Sequence, residues 1–267
     1  MGIIAEVLDS RDILRNLLLR ELRSSYKGSA LGFLWSLLNP LVTMAIFTVV
    51  FSVVLRVQLP PNAQGVNNFP AFLLVGLLPW NLISLSMSAG ATSLVANSNL
   101  IRKVHFFRAT LPASVVLANA VNFLVGLALL LVVLLAVGVN FWGSIWLLPV
   151  PLLALLLLSL GLALLTSVAN VYYRDTQYLV GLFTMAWFYA TPIIYPLSFV
   201  ERVGEPWLTL YRLNPATALI ETFRAVLYDG RLPSALDLLW SLGSAAAVLA
   251  VGWLVFQRAE PHFAEEV

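Results

Sequence analysis

Few residues in this chain have the type and spacing for chemistry, and those that do are mostly basic. Two histidines, His105 and His262, stand far apart in the 267-residue sequence, and there is no cysteine. A thiolate metal site and a disulfide framework are therefore both excluded. Only two lysines occur, Lys27 and Lys103, and neither lies in a G-x-x-x-x-G-K-[ST] loop that would cradle a nucleotide phosphate. Serines are plentiful, but the long apolar segments hold no charged residue to orient or deprotonate one, as nucleophilic catalysis needs. The same absence leaves no intramembrane group to relay a proton or hold sodium. No catalytic centre, metal or cofactor is expected in the chain itself.

Three charged groups remain. Residues 9–27 read DSRDILRNLLLRELRSSYK. Ile13, Leu14, Leu17, Leu18 and Leu22 recur on one face of a helix, while Arg11, Arg15, Arg20 and Arg23 lie mainly elsewhere and Lys27 closes the segment. Asp9 or Ser10 suits the N-cap and Asp12 the first turn. Such a helix lies in a membrane interface, basic side toward anionic headgroups; packing on protein is the alternative. Residues 97–108 read NSNLIRKVHFFR. Leu100, Ile101, Val104 and Phe107 share a face of a short helix there, flanked by Arg102, Lys103 and Arg108. That face suits docking into a protein groove, and a basic loop that only enforces topology fits equally. The third group is the turn YYRDTQ at 172–177, where Arg174 and Asp175 are placed to pair or to cap helix ends.

The elements that must position these groups are membrane-spanning. Six stretches, 37–55, 70–96, 110–137, 145–171, 178–200 and 238–256, contain no Asp, Glu, Lys, Arg or His. About 20 apolar residues in a helix cross a bilayer, and a central charge costs roughly 2.5–3.5 kcal/mol on insertion scales. Only 10% of residues are charged, against about 25% in a soluble domain. The expected fold is an all-α polytopic membrane protein of six transmembrane helices, an N-terminal interfacial helix and short re-entrant helices before the last span. It reads as one domain, 1–267, made of the interfacial helix and hinge (1–36), the six-span bundle (37–256) and a tail (257–267). No secretory signal is legible in the first 30 residues. With the N-terminus inside, ten of the fifteen Lys and Arg fall on the cytoplasmic side, so both termini are expected in the cytoplasm.

Several pieces depart from simple spans. Residues 28–38 read as a hinge, and Asn39-Pro40 as a helix start or a mild kink. Pro192 and Pro196 kink or end the fifth span, and any freed carbonyl there needs a partner from protein or water. Residues 201–237 are too polar to cross lipid, yet hold an apolar periodic piece at 214–227 that begins Asn-Pro. It reads as short helices dipping into the outer leaflet, with an external cap as the alternative. Asn119, Asn122 and Asn170 lie within spans; they bond between helices or face a hydrated pathway. Trp80, Trp142, Trp146, Tyr189, Tyr195 and Trp207 gather near span ends, as an interfacial belt does, or as sugar-stacking surfaces.

The block LLLRELRSSYKGSALGFLWSLLNPL at 17–41 closely resembles the N-terminal block of type II ABC export permeases that move lipid-linked polysaccharides. These are the O-antigen, capsule and teichoic-acid exporters. The resemblance continues through NSNLIRKVHFFRATLPAS, NVYYRDTQYLV, TPIIYPLS and LNPATALIETFRAVLY, covering nearly the whole chain in order. Phe107 departs from it, since a proline is more usual there. The resemblance implies a pathway built from two copies of the chain, each bound to a separate cytoplasmic ATPase that holds ATP and Mg. It makes 97–108 the coupling helix, Arg174 and Asp175 a second ATPase contact, and 9–27 a gate helix whose Arg11, Arg15, Arg20, Arg23 and Lys27 offer charge to a pyrophosphate headgroup or to anionic lipid. It makes 214–228 re-entrant helices near the exit. Trp35, Asn119, Asn122, Asn170, Tyr189 and Tyr195 are the candidates to line the channel.

The expected function is export of an undecaprenyl-linked polysaccharide across the plasma (inner) membrane, with ATP hydrolysed on the partner. The partners are the second copy, two ATPase copies, the glycan and membrane lipids, with no nucleic acid. A small-molecule exporter on the same scaffold is one alternative. The other is a membrane-embedded glycosyltransferase, although no paired acidic motif is present for it.

Overall fold

The computed structural model describes residues 11–26, 32–54, 56, 60–104 and 106–266. Asp9, Ser10, Lys27, residues 28–31 of the expected hinge and His105 lie outside the described residues. All regular structure among those described is helical. In chain order the helices are α1 (Arg11–Tyr26), α2 (Trp35–Thr48), α3 (Phe69–Ser93), α4 (Ser98–Lys103), α5 (Thr110–Ala136), α6 (Pro149–Tyr172) and α7 (Thr176–Tyr189). Then come α8 (Leu197–Glu201), α9 (Glu205–Leu213), α10 (Pro215–Phe223), α11 (Ala235–Ala259) and α12 (Phe263–Glu266). Four are long and apolar enough to cross a membrane: α3, α5, α6 with its leading 3₁₀ turn, and α11. Wide π-turns extend α2 through Val49–Val54 and α10 through Arg224–Tyr228.

Asn-Pro does two different things here. At Asn214-Pro215 it starts a helix: Asn214 is extended and its side chain accepts the Ala216 N–H at 3.0 Å. Asn68 and Ser234 cap α3 and α11 in the same manner, from Ala71 at 3.0 Å and Asp237 at 3.1 Å. At Asn39-Pro40 the expected start is not found. Pro40 sits inside α2, which already begins at Trp35. One lost backbone bond is cheaper there than leaving the turn before it unbonded.

The fifth apolar stretch breaks where its prolines are expected to end it. Helix α7 stops at Tyr189, and residues 190–196 are irregular before α8. Pro192 has no N–H, and its ring would strike the carbonyl one turn earlier.

Helix α3 is the hub, buried for most of its length and packed on α5, α6, α7 and α10. Helix α11 packs chiefly on α6, on its own outer side leaving Leu236, Leu239 and Val251 exposed. Small residues set these approaches. A Cβ on Gly161 would lie 2.7 Å from the Leu249 backbone, and one on Gly90 would lie 2.8 Å from the Ala163 side chain. Close helix contact through small residues is how bundles gain packing where lipid removes the hydrophobic drive.

A second cluster closes one end, called here the near end. Leu17 of α1, Leu94, Ile101 of α4, Leu111, Val168, Phe256 and Phe263 are buried together there. Residues 60–68, 138–148 and 190–234 form the far end. Asn62 donates to the Tyr228 carbonyl at 2.7 Å, Gln64 to the Asn140 carbonyl at 2.6 Å, and Ser144 to the Val226 carbonyl at 2.6 Å.

Arg224 carries the largest share of satisfying the broken segment. Its guanidinium donates to the Pro192 carbonyl at 2.5 Å, the Ile193 carbonyl at 2.7 Å and Glu221 Oε1 at 2.7 Å. It also stacks 3.7 Å from the Phe72 ring centroid. Arg224 is 3% exposed, so its charge stands on these contacts alone. Arg224→Leu leaves two carbonyls and a carboxylate unpaired. Breaking a buried pair costs about 3–5 kcal/mol, so heating the purified protein in detergent should show a midpoint roughly 10 °C lower. Arg224→Lys, with a single point of donation, should fall between. An unchanged midpoint for Arg224→Leu would mean the carbonyls do not depend on this side chain.

Candidate coupling and translocation sites

The near end gathers most of the charged groups singled out in the sequence. Helix α4 ends at Lys103, and Val104 is extended (φ −128°, ψ 134°). The expected single apolar face on 97–108 is therefore split. Ile101 is 3% exposed and buried in the chain's own near-end cluster, with Leu100 and Phe107 packed against it. Phe107 lies 5.6 Å from the Trp253 ring of α11. Val104 is left outward at 43% exposure, beside exposed Arg102 and Lys103. The spacing was right for an apolar face; most of it is used to hold the loop on.

Two polar fasteners complete that attachment. Arg108 donates from its backbone N–H to Glu260 Oε1 at 3.3 Å and from its guanidinium to the Glu260 carbonyl. Arg20 of α1 donates to Asn97 Oδ1 at 2.8 Å, and Asn97 donates to the Ser93 carbonyl at 2.7 Å. Helix α1 is thus tied to the loop between α3 and α4. Its apolar side, with Leu17 buried and Ile13 packed beside it, lies on the protein. Arg11, Arg15, Arg20 and Arg23 are exposed, and Arg20 also meets Glu21 at 3.2 Å.

In the third group Arg174 and Asp175 are both exposed, and no ion pair joins them among the described residues. The expected cap is not made by a side chain either. Instead the Asp175 backbone carbonyl accepts the N–H groups of Tyr178 at 3.0 Å and Leu179 at 3.2 Å.

The six channel candidates lie on several different elements. Tyr195 donates its hydroxyl to the Tyr189 carbonyl at 2.6 Å, which leaves Tyr211 as the donor in the 2.8 Å contact between the two phenols. Trp35 is exposed at the start of α2. Asn119 and Asn122 stand half-buried on α5, and Asn170 is buried late on α6. A hydrogen bond between long helices comes from Thr166, which donates to the Met87 carbonyl at 3.0 Å.

What sequence reasoning missed is at the far end. Helices α9 and α10 form a hairpin bent at Asn214. The Asn214 side chain accepts from Trp187 Nε1 at 3.0 Å and donates to the Ala190 carbonyl at 3.2 Å and Thr191 Oγ1 at 3.0 Å. The Trp187 ring packs on Trp80 of α3 at 5.4 Å. Asn214 and Arg224 together supply the donors that the irregular segment 190–196 lacks. The signals were present: a second Asn-Pro, and Glu221 and Arg224 three residues apart inside a mostly apolar periodic piece. Between the hairpin and the start of α11 lies a cavity of about 850 Å³, lined by residues that include Glu201, Arg212, Glu221, Tyr228, Asp237 and Trp240.

The chain matches the ABC-2 type transporter family model over residues 14–228. It is 36% identical over 265 residues to the O-antigen export system permease protein RfbA of Myxococcus xanthus, covering 99% of each chain. It is 31% identical over 249 residues to an O-antigen export system permease protein RfbA of Klebsiella pneumoniae, covering 92% of this chain and 91% of that one. A polysialic acid transport protein KpsM of Escherichia coli is 24% identical over 250 residues, covering 91% and 92%. With the family model covering most of the chain and full-length likeness to such permeases, this multi-pass membrane protein belongs to the ABC-2 type transporter family.

Proposed function

We propose that the chain is the permease half of an exporter that moves an undecaprenyl-linked polysaccharide across the plasma (inner) membrane. The observation that carries this reading is the end-to-end likeness to an O-antigen export permease. Two copies would enclose one pathway, each bound to a cytoplasmic ATPase subunit that holds ATP and Mg. The chain itself is then a single transport domain and not an enzyme. Deleting its gene should leave lipid-linked glycan on the cytoplasmic side, read by extraction and by surface labelling of intact cells. Normal surface glycan in the deletion strain would sink the reading.

The geometry supports cytoplasmic termini. Helix α1, the 98–108 loop, the 172–177 turn and α12 share the near end, which holds most of the basic residues. Six crossings follow if α2 with its π-turn and α7 with segment 190–196 each cross. A re-entrant hairpin is supported by depth: Asn214 touches Trp187, Trp187 touches Trp80, and Trp80 lies about 16 Å along α3 from Phe69 at 1.5 Å per residue.

The ATPase would dock on Val104, Arg102 and Lys103, with Arg174 and Asp175 beside them. Leu100, Ile101, Phe107 and Arg108 would transmit the push inward, since they are the residues fixed to the bundle. Lys103→Glu with Val104→Asp should weaken ATPase capture at least tenfold while the permease still inserts. Ile101→Asp should instead disrupt the near-end cluster and lower yield. Unchanged capture in the double variant would leave the loop a topology signal only.

The exposed Arg11, Arg15 and Arg23 would offer charge and directed hydrogen bonds to the carrier pyrophosphate. Replacing all three with Gln should lower substrate-stimulated ATPase activity and export, with basal activity of the assembled complex retained. Topology has to be scored in the same variant, because inside charges orient the chain. Intact topology with full stimulation would make these residues anchors to anionic lipid.

A further inference from the structure

We propose that the far-end cavity between the α9–α10 hairpin and the start of α11 is a saccharide-binding site for the glycan as it leaves the membrane. The inference rests on the export reading and adds a second, outer contact that the channel candidates do not include.

Size and lining point to this ligand class. About 850 Å³ is near the top of the range of roughly 300–1,000 Å³ for small-molecule pockets, so the cavity suits a short oligosaccharide and is far too large for an ion. Its three arginines each face a carboxylate: Arg212–Glu201 at 3.8 Å, Arg224–Glu221 at 2.7 Å and Arg231–Asp229 at 3.1 Å. Asp237 accepts from Ser234 at 2.6 Å. Four carboxylates against three arginines leave the lining one net negative charge, which gives an anion no attraction, and the exposed Arg212, Arg231 and Asp237 keep spare donor and acceptor directions. Vicinal hydroxyls, each both donor and acceptor, match that pattern. An acyl chain would instead cover charged groups with hydrocarbon and strip them of water. Trp240 completes the lining; its Nε1 is fixed by the Arg212 carbonyl at 2.8 Å while the residue stays 42% exposed. A fixed, partly exposed indole is a platform for the apolar face of a sugar ring.

Position agrees with the role. The cavity is at the end opposite the proposed coupling loop, and Arg224 in its lining also holds Pro192 and Ile193. A bound saccharide would therefore touch the side chain that fixes the broken segment.

The test uses the permease with its ATPase in nanodiscs, titrated with oligosaccharides released by mild acid from the producing strain's own surface glycan. Saturable binding is expected by isothermal titration calorimetry. Trp240→Ala should weaken binding about tenfold, Trp240→Phe should retain most of it because the ring remains, and Glu201→Gln should lower it. Equal affinity in wild type and Trp240→Ala would overturn the site. So would native mass spectrometry in which Trp240→Ala releases a phospholipid while no oligosaccharide binds, since that assigns the cavity to lipid. The deletion strain separates the two readings. If glycan does not accumulate inside it, the export reading fails; if glycan accumulates yet the cavity variants bind oligosaccharide as wild type does, this proposal alone fails.

Discussion

A buried backbone carbonyl without a donor has no water to turn to, and segment 190–196 places several such carbonyls beside α3. The donors that reach them are few. Tyr195 serves Tyr189, Asn214 serves Ala190, and Arg224 serves Pro192 and Ile193. Two of these three come from the α9–α10 hairpin. The break in the fifth apolar stretch and the hairpin are therefore one unit: neither can be moved without stranding the other's polar groups, at a cost of about 1–3 kcal/mol for each buried group left unpaired. A hairpin that swings has to carry the end of α7 with it, or admit water as it goes.

The packing divides the rest into a rigid part and a looser part. Helices α3, α6 and α11 touch through Gly90, Ala163, Gly161 and Gly252, at separations where a Cβ meets backbone. Such contacts fix the spacing of the three. Helices α2 and α7 instead leave broad apolar sides uncovered, with Val42, Ile46 and Val53 on one and Leu179, Leu182 and Met185 on the other. Those sides meet lipid or the proposed second copy, and they are the surfaces along which a bundle can slide with little repacking. A pathway that opens between two copies needs this asymmetry, a stiff frame beside a face free to part.

The long spans were legible because lipid permits no alternative to an uncharged helix; α5 falls within one residue of its expected limits. Pro192 and Pro196 marked the break for the same stereochemical reason. The partners of the break were not legible, since nothing in LNPATALIETFRAVLY says which distant carbonyls its arginine will meet. Asn39-Pro40 shows the opposite failure, a good local cap signal overridden by helix-forming residues on both sides. On 97–108 the pattern identified apolar positions correctly but not their partner. A face that docks on another protein and a face that packs on its own bundle have the same periodicity, and here most of it, Ile101 above all, is internal.

If a partner ATPase drives transport as proposed, its work would reach the far end mechanically. The apolar stretches hold no Asp, Glu, Lys, Arg or His to relay a proton, and buried Arg224 is locked to Glu221 and two carbonyls. Helix α3 is the element that meets both ends. Leu94, just beyond its last turn, belongs to the near-end cluster that anchors Ile101, while Gly76 and Trp80 lie against Arg224 and Trp187. Buried on nearly every side, α3 cannot shift one flank without repacking the whole core, so a push on the near-end loop arrives as a displacement of the helix as a body. At Gly76 that displacement meets the guanidinium directly, because a Cβ there would lie 3.1 Å from it. The contact that satisfies the broken segment is thus where a movement from the proposed docking site at Val104 would bear on the hairpin, and the absence of a side chain at Gly76 is what lets the two meet.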